Sequence, residues 1–197
     1  MGKLSNYRSD NKGTKLVAQL IDFLGENSKR DGLLETPSRV LRMYRELLSG
    51  YKEKIGDIYK TFNSKGYKGI VTLTNIDFYS LCEHHMIPFF GKVHIGYVPN
   101  GKVLGLSKFA RIVEVFSKRL QTQENLTKQI ADSFTKYLGP VGLIVHVEAE
   151  HLCMSMRGVK SKGVITKTTD VRGVLVKQKE LLDQFYKDIN GHKPGVT

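Results

Sequence analysis

The sequence has 197 residues and a formal net charge of +12, with 40% hydrophobic and 25% charged residues. This is the composition of a soluble globular protein, and no apolar run approaches the roughly 20 residues that a membrane span requires. A basic balance favours anionic partners, but it does not separate a nucleic-acid-binding protein from an enzyme for a polyphosphate substrate.

The N-terminal third of the sequence predicts helices. Residues 1–13 are polar and are expected to form a flexible arm. Apolar residues at helical spacing predict a helix over residues 15–25 and a second helix over residues 36–50, which Thr36 can cap. We therefore expect residues 14–65 to form a helical N-terminal region.

The remainder of the chain, residues 66–197, is expected to form one domain of mixed structure. Strand patterns cover residues 70–74, 93–98, 141–149, 153–160 and 164–176, and helical patterns cover residues 107–120, 126–138 and 179–189. Because the strands come in adjacent pairs and not singly between helices, the sequence favours an α+β fold with an antiparallel sheet over a doubly wound parallel sheet.

Two groups of Cys and His carry the most distinctive chemistry. A turn can aim Cys82 and His85 at one point, and His151 and Cys153 share a face if they lie on a strand. Cys82, His85 and Cys153 would supply three donors to zinc and leave the fourth position for water, as in catalytic zinc sites. His84 and His151 would flank that position as proton donors or acceptors.

Other interpretations of these residues stay open. A Cys beside a His is often a buried thiol next to a structural histidine, and two cysteines can also form one disulfide. The small number of cysteines and the polar N-terminal segment, which has no apolar stretch typical of a secretion signal, indicate a cytoplasmic protein. His94 and His146 lie inside strand patterns and are interpreted as structural.

A basic group stands at the start of the helix predicted over residues 107–120. Ser107, Lys108 and Arg111 lie at the start of this helix, with Lys108 and Arg111 on one face, and backbone N–H groups there can help to bind phosphate; a solvated basic face is nevertheless the more common explanation of an isolated Lys-x-x-Arg. Arg157 could add a guanidinium or be an exposed strand residue. Glu124 can stabilise a helix N-terminus, and a carboxylate can also bind the N1–H and 2-amino edge of guanine.

The segment Ser80–Pro99, SLCEHHMIPFFGKVHIGYVP, resembles the signature of the GTP cyclohydrolase I family. Similar segments are GLLETPSR at 32–39, GLSKFAR at 105–111, QTQENLT at 121–127, EAEHLCM at 148–154 and MRG at 156–158. The resemblance covers roughly residues 15–176 in order. One departure is Asn125, where the family pattern has Arg.

The resemblance implies a fold and an activity. The fold is the tunnelling fold, an antiparallel sheet backed by two helices, with subunits joined into a homo-oligomeric ring, typically a decamer, and active sites between neighbouring subunits. The activity is the zinc-dependent hydrolytic opening of the imidazole ring of GTP. The products are formate and 7,8-dihydroneopterin triphosphate, in the first step of tetrahydrofolate and pterin biosynthesis.

The resemblance also implies a role for each site residue. The zinc ligands are Cys82, His85 and Cys153; the catalytic histidines are His84 and His151; guanine is recognised by Gln123 and Glu124; and the triphosphate contacts Ser107, Lys108, Arg111 and Arg157. Neither nucleic acid nor a membrane is an expected partner. The competing interpretations are a zinc-stabilised nucleic-acid-binding protein, a tunnelling-fold nitrile reductase with a thiol nucleophile and a nicotinamide cofactor, and a catalytically silent ring protein.

Overall fold

A computed structural model gives the fold and describes residues 2–191, with side chains described from Asp10 onward. The α-helices are α1 (Gly2–Phe23), α2 (Thr36–Leu47), α3 (Leu106–Ser117), α4 (Gln123–Tyr137), α5 (Leu152–Ser155) and α6 (Lys179–Gly191). The strands are β1 (Thr61–Asn63), β2 (Val71–Cys82), β3 (Pro88–Val98), β4 (Lys102–Leu104), β5 (Leu120–Gln121), β6 (Gly142–His151) and β7 (Ile165–Gly173). Within residues 2–191, no helix combines the length and the apolar character needed to cross a bilayer.

Backbone contacts divide the chain into two compact units, and the division falls between Ser49 and Gly50. In the first unit α1 packs against α2. Helix α1 begins at Gly2 and so covers the segment for which a flexible arm was expected. Gly13 permits the close approach of the two helices, because a Cβ there would lie 3.0 Å from the Leu41 side chain.

The second unit is built on a five-stranded sheet with the order β5-β2-β3-β6-β7. All neighbouring strands are antiparallel except the short β2–β5 pair. Side chains alternate between the two faces, so that in β6 Leu143, Val145 and Val147 all point into the main core. Strands β1 and β4 form a separate antiparallel pair.

Helices α3 and α4 cover one face of this sheet. Phe109 and Ile112 of α3 and Ile130 and Phe134 of α4 are fully buried against it. Burial of each such side chain contributes on the order of 1.5–3 kcal/mol. The predicted fold class, α+β with an antiparallel sheet backed by two helices and preceded by a helical N-terminal region, is confirmed.

Two sequence-based assignments are corrected. Residues 153–160 do not form a strand, because α5 begins immediately after β6 and the loop that follows has Gly158 and Lys160 at positive φ, which a strand does not accommodate. Strand β7 pairs with β6 in their place. At the start of α2, Thr36 is the first helical residue and does not act as the cap, a position that Glu35 takes.

Candidate active site

A tight turn after β2 positions the first Cys/His group. The Cys82 N–H donates to the Ile87 carbonyl at 2.9 Å, and the Met86 N–H donates to the Cys82 carbonyl at 2.8 Å. Met86 adopts a positive φ of 54°, which reverses the chain between β2 and β3. His84 and His85 are carried on this turn, directly beside the end of β2.

Strand pairing brings the second group to the same place. Phe89 at the start of β3 is paired with His151 at the end of β6. Cys153 follows in the first turn of α5, so it does not share a strand with His151 as the sequence predicted. The single turn of helix nevertheless returns the Cys153 side chain toward β2.

The result is a compact donor group within the described residues. The ligand atoms of Cys82, His85 and Cys153 all lie within 4.8 Å of one another, and both cysteines are free. Cys82 is buried, Cys153 is half-buried and His85 is exposed, so the group is open on one side. Two thiols and an imidazole fit zinc, and a bound cation would favour the thiolate form of the cysteines.

Without a cation, the environment of Cys153 favours the thiol. Burial raises the pKa of Cys153, and the neighbouring Cys82 raises it further. The nearby Arg157 guanidinium lowers it, but by less. A metal ion in this position would therefore release protons as it bound, because thiol ligands must be deprotonated.

His151 is held firmly beside the donor group. Its ring stacks on Phe89 with 4.7 Å between centroids and 4° between planes. Its Nε2 lies 2.8 Å from Oε1 of Gln123. Burial lowers the pKa of His151 below its usual value, and the negative charge of Glu124 partly opposes this effect.

His84 is the more exposed of the two predicted catalytic histidines. Its Nδ1 lies 3.7 Å from the Cys82 sulfur, and its Nε2 lies 3.9 Å from a carboxylate oxygen of Glu83. The ring therefore stands at the rim of the donor group and has solvent on its other side.

A cavity of about 240 Å³ adjoins these side chains. It is lined by Cys82, His84, Gln121, Thr122, Gln123, Glu124, His151, Cys153, Met154 and Thr166. Sequence reasoning missed Gln121, Thr122, Met154 and Thr166. Only Thr122 carried a readable signal, since a Thr before a helix is a typical cap, and its side chain accepts a hydrogen bond from the Asn125 N–H at 3.2 Å.

The structure brings the predicted substrate-binding residues to different places. Gln123 and Glu124 line the cavity from the first turn of α4. Arg157 lies beside the donor group, with Nη1 3.0 Å from His85 Nε2. Ser107, Lys108 and Arg111 lie in the first half of α3 and are not among the described residues that line the cavity.

An antiparallel sheet backed by two helices carries a donor group suited to a metal ion, and this group opens into a cavity with an imidazole and a carboxylate. Such a combination is typical of metal-dependent enzymes that act on small molecules.

The chain belongs to the GTP cyclohydrolase I family, whose sequence model matches residues 14–190. The GTP cyclohydrolase 1 of Clostridium kluyveri is 50% identical over 180 residues, which cover 91% of this chain and 97% of that protein. The GTP cyclohydrolase 1 of Streptococcus sanguinis is 48% identical over 180 residues, which cover 89% and 95%. The tunnelling fold implied by the sequence resemblance is thereby confirmed.

Among solved structures, an apo crystal structure of the archaeosine synthase QueF-Like superimposes with a TM-score of 0.46 and 20% identity. The superposition covers 53% of this chain and 94% of that one.

Proposed function

We propose that this protein hydrolytically opens the imidazole ring of GTP, releases C8 as formate and forms 7,8-dihydroneopterin triphosphate, the first step of tetrahydrofolate and pterin biosynthesis. The observation that carries the proposal is the convergence of Cys82, His85 and Cys153 on one point beside a cavity lined by His151 and Glu124. Family membership over residues 14–190 supports it.

Cys82, His85 and Cys153 are the residues that would hold the metal ion, which we propose is zinc because the donors are two sulfurs and one imidazole nitrogen. When bound with an open fourth position, zinc supplies a Lewis acid that makes water a nucleophile near neutral pH. The exposed side of the donor group leaves room for that position.

Glu124 is proposed to select guanine. Its carboxylate lines the cavity at the first turn of α4 and can accept hydrogen bonds from both N1–H and the 2-amino group. Adenine has neither donor, so it would leave this carboxylate unpaired, and a site built for such hydrogen bonds discriminates strongly against the analogue that lacks them.

His151 is proposed to donate a proton to N7 of the purine. Protonation withdraws electrons from C8, the carbon between two nitrogens, and so makes it more electrophilic. The stacking of His151 on Phe89 and its hydrogen bond with Gln123 hold the imidazole in one orientation, as general acid catalysis requires. His84, at the rim, is proposed to assist the later opening of the ribose.

The triphosphate is proposed to bind Ser107, Lys108, Arg111 and Arg157. Because the three α3 residues do not line the cavity of their own chain, we propose that they complete the site of a neighbouring subunit. This arrangement requires the homo-oligomer, a ring that we expect to be a decamer. Binding of the remote triphosphate would help to position C8 beside the group formed by Cys82, His85 and Cys153. We expect the enzyme to act in the cytoplasm, without nucleic-acid or membrane partners.

The test is a turnover assay with the zinc-loaded protein. We expect one formate for each GTP consumed, together with a product that gives a fluorescent pterin after oxidation, and no formate from ATP. Salt-dependent nucleic-acid binding without formate release would favour the nucleic-acid-binding alternative. Consumption of a nicotinamide cofactor with a deazapurine nitrile would favour a nitrile reductase, and inactivity with all of these substrates would favour a silent ring protein.

The substrate preference gives a second, sharper test. In competition between GTP and ATP, we expect Glu124→Ala to lose most of the preference for GTP while it keeps its metal. Asn125→Ala is the matched control, because the structure uses only the backbone N–H of Asn125 in the cap of α4. Unchanged discrimination in Glu124→Ala would remove this residue from guanine recognition.

A further inference from the structure

We infer that Gln123 is a positioning residue, which holds the His151 ring with its hydrogen on Nε2, and that it does not contact guanine as the sequence resemblance implied. The inference rests on the proposed function, because it concerns the residue assigned there as the proton donor. Gln123 is 1% exposed, at the first turn of α4, and is the most deeply buried polar side chain that lines the cavity.

The orientation of the Gln123 amide follows from its neighbours. One end of the amide lies 3.0 Å from the Val147 carbonyl oxygen, 3.0 Å from the Thr166 carbonyl oxygen and 3.2 Å from Thr168 Oγ1. A carbonyl oxygen can only accept a hydrogen bond, so this end must be the NH₂ group. The reversed amide would place an oxygen against two oxygens at 3.0 Å.

The orientation of the amide decides the tautomer of the histidine. With NH₂ fixed by two carbonyls, Oε1 of Gln123 faces His151 Nε2 at 2.8 Å. Oε1 can only accept, so Nε2 must carry a hydrogen. A neutral imidazole has one N–H, and therefore Nδ1 of neutral His151 holds the lone pair; Nδ1 must first take up a proton before the ring can pass one to N7 of the purine.

Two further contacts reinforce this geometry. Thr168 Oγ1 lies 2.6 Å from Thr127 Oγ1, and the Thr127 hydroxyl also donates to the Gln123 carbonyl at 2.8 Å. These bonds tie the first turn of α4 to β7. On its other side, His151 is confined by the parallel Phe89 ring. Stacking on Phe89 therefore fixes the plane of the His151 ring, and the hydrogen bond to Gln123 fixes which nitrogen carries the hydrogen.

The same contacts leave the Gln123 side chain without a free N–H group that could donate a hydrogen bond to a substrate. Its two N–H groups face three oxygens of the protein, and the side chain is almost wholly buried. Guanine would have to displace these bonds and leave buried carbonyls unpaired, which is costly. In this arrangement guanine recognition falls to Glu124, while Gln123 acts through His151.

The direct test is nitrogen NMR of the zinc-loaded enzyme with ¹⁵N-labelled histidine, with the His151 signals assigned by their loss in His151→Asn. We expect wild type at neutral pH to show protonated Nε2 and unprotonated Nδ1. In Gln123→Met we expect a mixture of tautomers. The opposite tautomer in wild type, or an unchanged spectrum in Gln123→Met, would overturn the inference.

Steady-state kinetics distinguish a role of Gln123 in positioning His151 from a direct contact between Gln123 and the substrate. For Gln123→Met we expect kcat to fall on the order of 10²-fold with little change in KM. We expect zinc to be retained, because none of the three proposed metal ligands is altered. Gln129→Met is the matched control on the same helix, since Gln129 contacts Gln121 and not His151, and we expect wild-type kcat and spectra. A raised KM with unchanged kcat in Gln123→Met would indicate a guanine contact instead.

Gln123→Asn provides a second variant if Gln123→Met fails to fold, because it keeps an amide that is too short to reach both the carbonyls and His151. We expect the same loss in kcat and the same mixed tautomers, and wild-type behaviour would contradict the inference. Failure of the proposed function is a separate result, because wild type itself would then release no formate whatever the tautomer of His151.

Discussion

Acidification should destabilise the fold through His94, a buried residue of β3 that is only 2% exposed. Its Nδ1 accepts a hydrogen bond at 3.3 Å from the N–H of Asn75, a residue of the β2 bulge. Burial lowers the pKa of His94 to about 4. The interaction with Glu148 opposes this effect, and the electrostatic interactions with His146, Lys167 and Lys92 lower the pKa of His94 further.

The size and sign of the effect follow from this pKa. The ordinary value of 6.5 applies to the unfolded chain, so between pH 6.5 and about 4 the unfolded state binds a proton that the folded state does not. The contribution of neutral His94 to the free energy of unfolding is therefore fully present above pH 6.5, and it is lost as the pH decreases toward about 4. At about 1.4 kcal/mol for each pH unit, the total loss attributable to His94 is about 3 kcal/mol.

The assay is denaturant unfolding of wild type and His94→Asn at pH 7.5 and pH 4, at one protein concentration. The Asn oxygen can still accept from the Asn75 N–H, but it does not titrate. Metal release and the titration of groups that do not interact with His94 are shared by both proteins and cancel in the difference. We expect the free energy of unfolding of wild type to fall by about 3 kcal/mol more than that of the variant. Equal decreases in the free energy of unfolding of the two proteins would show that the titration of His94 does not destabilise the fold.

Three further predictions concern the site and the sheet that carries it. Cys153→Ala should lose metal and formate release together, and stoichiometric metal by elemental analysis would exclude Cys153 as a ligand. His151→Ala should retain metal while kcat falls about 10²–10⁴-fold, and wild-type turnover would contradict its acid role. Gly91→Ala would place a Cβ 1.9 Å from the Glu148 carbonyl oxygen of β6, so we expect the variant to be less stable by about 3 kcal/mol in thermal unfolding. An unchanged midpoint of thermal unfolding would contradict the β3–β6 register.

Much of the second unit was predictable from local patterns. Alternation of apolar residues marked β6 and helical periodicity marked α3 and α4, because each element buries one continuous face in the same core. The Cys and His residues were recognisable as a group because few residue types bind metals. Their convergence, by contrast, depends on the pairing of Phe89 with His151 across two strands.

The errors arose where distant contacts decide the conformation. Residues 153–160 contain strand-forming residues, yet β7 occupies the position beside β6 and leaves this segment to form α5 and a loop. Residues 1–13 were expected to form a flexible arm because they are polar, but they belong to α1, and Gly13 lets this helix pass Leu41 at close range. The contacts of the Gln123 side-chain NH₂ group could not be predicted, since its oxygen partners come from β6 and β7.

We propose that Cys82, His85 and Cys153 bind one zinc ion and leave one position for solvent. X-ray absorption at the zinc edge of the purified enzyme tests it most directly. We expect two sulfur neighbours, one imidazole nitrogen and one further light atom that changes when GTP binds. A shell of four protein ligands, or fewer than two sulfurs, would contradict it.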